Sequence, residues 1–96
     1  MQIEPALALI EEVASKNHYC FEKSDSNFWE VYIDRSHGVA YGLNFNSTGY
    51  IEVRNWEGEQ YGEGQYGRAI YSLRDMNDVA IFCNLLISGY ELRAKR

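Results

Sequence analysis

Hydrophobic positions along this chain change their period twice. Between Pro5 and Lys16 the apolar residues Ala6, Leu9, Ile10, Val13 and Ala14 fall on one face of a 3.6-residue repeat. Pro5 suits the first turn, because its φ is already fixed near the helical value and its missing N–H is not needed there. A short amphipathic helix over residues 5–16 is expected, closed at Asn17, a residue that tolerates the left-handed conformation in which many helices end.

From residue 19 the period falls to 2. Residues 19–23 form a first strand, followed by a polar turn at 24–27. In 28–34, Trp29, Val31 and Ile33 alternate inward against Glu30, Tyr32 and Asp34 outward. After a turn at 35–38, the segment 39–45 puts its large residues on one face and Ala40, Gly42 and Asn44 on the other. Past Asn46-Ser47-Thr48-Gly49, the strand 50–56 points Ile51 and Val53 in and Tyr50, Glu52, Arg54 and Trp56 out. A last strand over 68–72 follows a long loop. Four or five antiparallel strands result.

The helical period returns at the C-terminal end. Ser72 and Asp75 have capping-box spacing, with Asp in place of the usual Glu, so a helix is expected over 73–88, before Gly89. Met76, Val79, Ala80, Cys83, Leu86, Ile87 and Tyr90 form its main stripe, while Ile81, Phe82 and Leu85 spread apolar character round much of the circumference. Such a helix is buried on more than one side, and a homodimer contact is one way to bury the surplus. Helix, strands, helix in that order predicts an α+β fold. Its core is one antiparallel meander with both helices on one face, leaving the other face open, with Glu30, Tyr32, Asp34, Tyr50, Glu52, Arg54 and Trp56 beside a low patch at Ala40 and Gly42.

Length and charge narrow the partners. Ninety-six residues suffice for one domain. Fourteen acids against nine bases give a net charge of −5. Arg93, Lys95 and Arg96 form a basic tail at 93–96; without them fourteen acids face six bases, a net of −8. Such a body repels phosphate backbones, which argues against direct nucleic-acid binding and for a larger protein with a basic surface. The N-terminal segment has no basic region ahead of an apolar run, and no stretch reaches the length of a membrane span, so a cytoplasmic protein with reduced cysteines is expected. In that setting the sequon at Asn46 is incidental.

Candidate chemistry is sparse. Residues 57–67, EGEQYGEGQYG, hold four glycines, three glutamates and Gln-Tyr-Gly twice. They read as an adaptable binding loop in which Tyr61 and Tyr66 supply contact area and Glu57, Glu59 and Glu63 supply charge, or else as a plain hairpin excursion. The spacing fits no phosphate-binding loop. On the open face Tyr32, Tyr50 and Trp56, with Glu30 and Glu52, suit a protein partner better than RNA, although cross-strand pairing alone also accounts for them. His18, Cys20, His37 and Cys83 match no zinc spacing, and both cysteines read as core positions. No nucleophile elbow or metal-binding His pair occurs, and the paired carboxylates read as solvated, so neither enzyme activity nor a cofactor or metal is expected.

These features describe a small acidic binding protein, a stoichiometric inhibitor or immunity-type protein that blocks a basic, nucleic-acid-binding kind of site. In kind it looks like the small acidic proteins with which phages counter host defences such as CRISPR effectors, or that protect bacteria from toxins. That likeness is one of size, charge and missing catalytic motifs, and it names no family. An adaptor or chaperone-like homodimer, joined through the C-terminal helix and holding a peptide on its open sheet face, is the alternative; a small enzyme comes third.

Overall fold

The computed structural model describes residues 2–34, 38–58 and 64–94, the last five of these for their backbone alone. The order is α1 (Ile3–Lys16), β1 (Cys20–Asp25), β2 (Phe28–Asp34), β3 (Val39–Phe45), β4 (Ile51–Gly58), β5 (Gly64–Leu73) and α2 (Met76–Ala94). The strands form one open antiparallel sheet in sequence order, β1-β2-β3-β4-β5, a meander, and the fold is α+β.

Register follows from the alternation. Trp29, Leu43, Val53 and Tyr71 stand in one cross-strand row, and Phe45, Ile51 and Leu73 in the next. A one-residue slip would turn all of them to the other face, so burial of this face holds the pairing. Against it pack Ala6, Ile10 and Ala14 of α1 and Val79, Phe82, Cys83 and Leu86 of α2, all buried in one core with Val31, Leu43, Ile51 and Val53. Tyr41 meets Phe82 edge to face, centroids 5.5 Å apart. Gly and Ala on the opposite side of β3 leave no large side chain of that strand there.

Both helix ends depart from the expected chemistry. Asn17 is the C-cap of α1 but keeps a negative φ of −103°; the left-handed residue is His18, φ 61°. His18 N donates to Ser15 O at 3.2 Å and Tyr19 N to Ala14 O at 2.8 Å, the paired bonds of a Schellman ending, with Tyr19 buried on Ala14 as its apolar contact. The Asn17 amide instead donates to Val13 O at 2.8 Å. Tyr19 then extends its hydroxyl to Leu86 O, 2.9 Å away, and ties the exit of α1 to α2.

At the other end Ser72 remains in β5, opposite Glu52, so it is not free to cap. The cap moves three residues along. Asp75 Oδ1 accepts from Asp78 N of the first turn at 2.9 Å, and Asp78 Oδ2 reaches back to accept from Arg74 N, just ahead of the cap, at 2.9 Å. The helix consequently starts at Met76 and runs to Ala94, taking in Arg93 from the expected basic tail; Lys95 and Arg96 lie outside the described residues.

Residues 57–67 are a loop only in part. Glu57 and Gly58 continue β4, and 64–67 begin β5, paired Trp56 with Tyr66, Glu57 with Gln65 and Gly58 with Gly64. Glycine content suggested a loop, whereas antiparallel pairing satisfies the backbone of both flanks. Residues 59–63 and the turn residues Arg35, Ser36 and His37 lie outside the described residues.

Candidate functional site

The sheet face away from the helices carries most of the residues singled out for binding, but it is not open as expected. Glu30 is 7 % exposed, Tyr32 6 % and Ala40 2 %. The cause lies in β4 and β5. Their ladder is irregular between Val53 and Arg54 and again between Arg54 and Trp56. Bulges of this kind bend a strand and steepen its twist. The end of the hairpin is carried over the bare patch of β3.

Tyr66 measures the bend. Its hydroxyl donates to Glu30 Oε2 at 2.8 Å, from β5 to β2. In a flat sheet those strands would stand about 14 Å apart, at some 4.8 Å per step, far beyond the reach of a tyrosine. The ring of Tyr66 also meets Phe28 (centroids 5.4 Å) and Trp56 (4.9 Å), both edge to face. Gly42 lies beneath: a Cβ there would come 2.5 Å from Phe28 Cζ and 3.1 Å from Tyr66 Cδ1. The low patch is the seat of an aromatic cluster, and Glu30, whose carboxylate is sheltered under it, is a support and not a contact residue. Tyr32, expected to face out, is equally buried.

A polar strip borders the cluster. Asn46 acts at both ends of its amide. Its carbonyl accepts from Thr48 N (2.9 Å) and Thr48 Oγ1 (2.8 Å), organising the β3–β4 turn, while its Nδ2 donates to Glu52 Oε1 at 3.0 Å. Glu52 also accepts from Tyr50 Oη at 3.4 Å and from Arg54 Nη2 at 3.0 Å, and Arg54 Nη1 donates to Gly67 O at 3.0 Å. The Asn46 bond is the main reason the Glu52 carboxyl lies below its ordinary value; partial desolvation opposes, and Arg54 and Tyr50 add to the lowering. Tyr50 lies under the Arg74 guanidinium, 4.3 Å from its ring centre.

Of the expected contact residues, the fold thus brings Trp56 and Tyr66 into one cluster and Tyr50 and Glu52 into one hydrogen-bonded strip. Glu57 is exposed beside the cluster, and its side chain lies over Gly67. Glu59, Tyr61 and Glu63 lie outside the described residues. Phe28, a full member of the cluster, was not foreseen, although it has the same parity as Glu30 and Tyr32. Cys83 is buried, which pushes its thiol up, but Cys20 is exposed on the edge strand, contrary to expectation. Among the described residues no group of three or more His, Cys, Asp or Glu is placed to hold a metal ion, and no helix is long and apolar enough to cross a membrane.

No protein-family model matches the chain, and neither the curated proteins nor the solved structures compared with it include a similar one.

Proposed function

We propose that this chain is a small acidic, non-enzymatic binding protein: a stoichiometric inhibitor or immunity-type protein, of the kind phages and bacteria use against defence effectors or toxins. Its target is a larger protein with a basic, nucleic-acid-binding kind of surface. The observation that supports this reading is the hairpin end, where Trp56 and Tyr66 are held ring to ring with Glu57 exposed beside them, on a body of net charge −5.

Aromatic anchors lose least on binding when their rotamers are already ordered. Tyr66 is pinned by Glu30 and by two rings, and Trp56 by Tyr66. The exposed Glu57 beside them and the acidic body speed encounter with a basic partner, while desolvated aromatic contact slows escape. Arg54 is held by Glu52 and Gly67 O, so it does not present a free cation to a phosphate backbone.

The test is capture of partners from host extract by the tagged chain at rising salt, from about 0.05 to about 0.5 M, a range over which screening shortens from beyond 10 Å to a few ångströms. Capture is expected to fall steeply, and Trp56→Ala to shorten the residence time of what is captured. A partner retained equally at both salt concentrations would rule out the electrostatic mechanism.

A further inference from the structure

We infer that β5 and α2 together form a self-association surface, and that its occupant is a second copy of this chain, paired through the outer edge of β5. The inference is independent of the partner reading above, which concerns the opposite face of the sheet.

The two sheet edges are unlike. β1 is six residues long and carries Glu22, Lys23 and Asp25, the short charged build that discourages pairing. β5 is ten residues long, with one charge, Arg68, and two bulges, and among the described residues no strand lies on its outer side. An unpaired ladder of that length is a template for another strand.

Apolar surface lies beside that edge. The bulge at Val53/Arg54 inserts Ile70 between Ala69 and Tyr71, and both Ile70 and Tyr71 then line a groove with Ile81, Phe82 and Leu85 of α2. A regular strand would send one of the first two to the other face. Ile70, Tyr71, Ile81 and Leu85 are each 42–53 % exposed. They leave roughly 400 Å² of apolar surface in water, within the range of functional patches on small proteins.

Three features select a second copy over a peptide. An extended peptide would complete the β5 ladder but bring no layer to cover Ile81 and Leu85 on α2, whereas a second copy brings strand to strand and helix to helix. Antiparallel pairing of β5 with itself about a two-fold axis is self-complementary, as such an interface requires. Twice 400 Å² of apolar surface, with the ladder backbone added, passes the roughly 1,000 Å² at which specific interfaces begin. Charge opposes the contact little: Asp78 is the one charged residue among those lining the groove, and Arg68 is the one charge on β5.

Sedimentation velocity on the full chain, over a concentration series up to about 200 µM, tests this, with micromolar dissociation expected for an interface near the lower size limit. The expected mass is that of two copies at the upper end. Ile81→Lys with Leu85→Lys should weaken association by roughly thirtyfold or more; both residues are exposed, and circular dichroism checks that the variant is folded. Hydrogen exchange gives a second reading, since β5 amides should gain protection with concentration and β1 amides should not. A monomer throughout the series would overturn the inference, as would a dimer unaffected by the α2 pair or lacking protection at β5.

Discussion

Tyr66 on β5 donates its phenol proton to Glu30 on β2 across the two intervening strands, 2.8 Å from oxygen to oxygen. Glu30 is a buried carboxylate, and the bond links the start of β5 to the middle of the sheet. Tyr66→Phe keeps the ring contacts and deletes the donor. Because it strips a partner from a buried charged group, it should cost about 1–3 kcal/mol in urea unfolding. In a double-mutant cycle with Glu30→Gln, a coupling energy near zero would show the bond to be incidental.

Gly42 is the floor of the same cluster. Gly42→Ala must displace Phe28 and Tyr66 from van der Waals contact, and overpacking of this kind costs about 1–3 kcal/mol. Trp56 fluorescence should shift as its neighbour moves. Unchanged stability and emission would mean that the cluster yields without strain.

The cap of α2 offers a comparison within one turn. Asp75→Ala should lose about 1 kcal/mol, the usual worth of an N-cap side chain, whereas Ser72→Ala should change stability by a few tenths at most. The reverse order, read by thermal unfolding, would restore the cap suggested by sequence spacing.

His18 occupies a left-handed conformation that a residue with a Cβ adopts at some cost. His18→Gly should therefore stabilise the chain by up to about 1 kcal/mol, and His18→Val should destabilise it, measured by the same unfolding curves.

Glu52 gives the acid limb a specific contribution. Its carboxyl lies below its ordinary value of about 4.5, chiefly through Asn46, so the stability it contributes is full above that pH and is lost as pH falls through the lowered value. Asn46→Asp keeps the acceptor of the β3–β4 turn but puts an anion where Glu52 had a donor. The variant should be less stable at neutral pH, and the gap should narrow as the solution is acidified below about 4.5. A pH-independent gap would assign the loss to the turn alone.

The parts of this fold legible in the sequence are those governed by local period. Trp29, Val31, Leu43, Ile51 and Val53 announce their shared face by alternation, and Ala6, Ile10 and Ala14 announce the inner side of α1 by helical spacing. What could not be read depends on partners distant along the chain. Glu30 and Tyr32 alternate as surface residues should, yet both are buried, and the residue that covers Glu30, Tyr66, lies thirty-six positions away. Four glycines in eleven residues looked like a loop because local composition carries no record of the strand that will pair with it. Ser72 failed as a cap because the sheet had already claimed it. The apolar residues round most of α2 suggested burial on more than one side, but the chain itself buries only the side of Val79, Phe82, Cys83 and Leu86 and leaves Ile81 and Leu85 exposed.

The difference between β1 and β5 sets a limit on growth. A sheet with two receptive margins can add copies without end, which is the geometry of a fibre. Here one margin is short and charged, and the other is long, nearly uncharged and interrupted only by its two bulges. Once two β5 strands meet, the margins left facing water are both β1, so association that begins there terminates at two copies and leaves the Trp56–Tyr66 face of each turned outward.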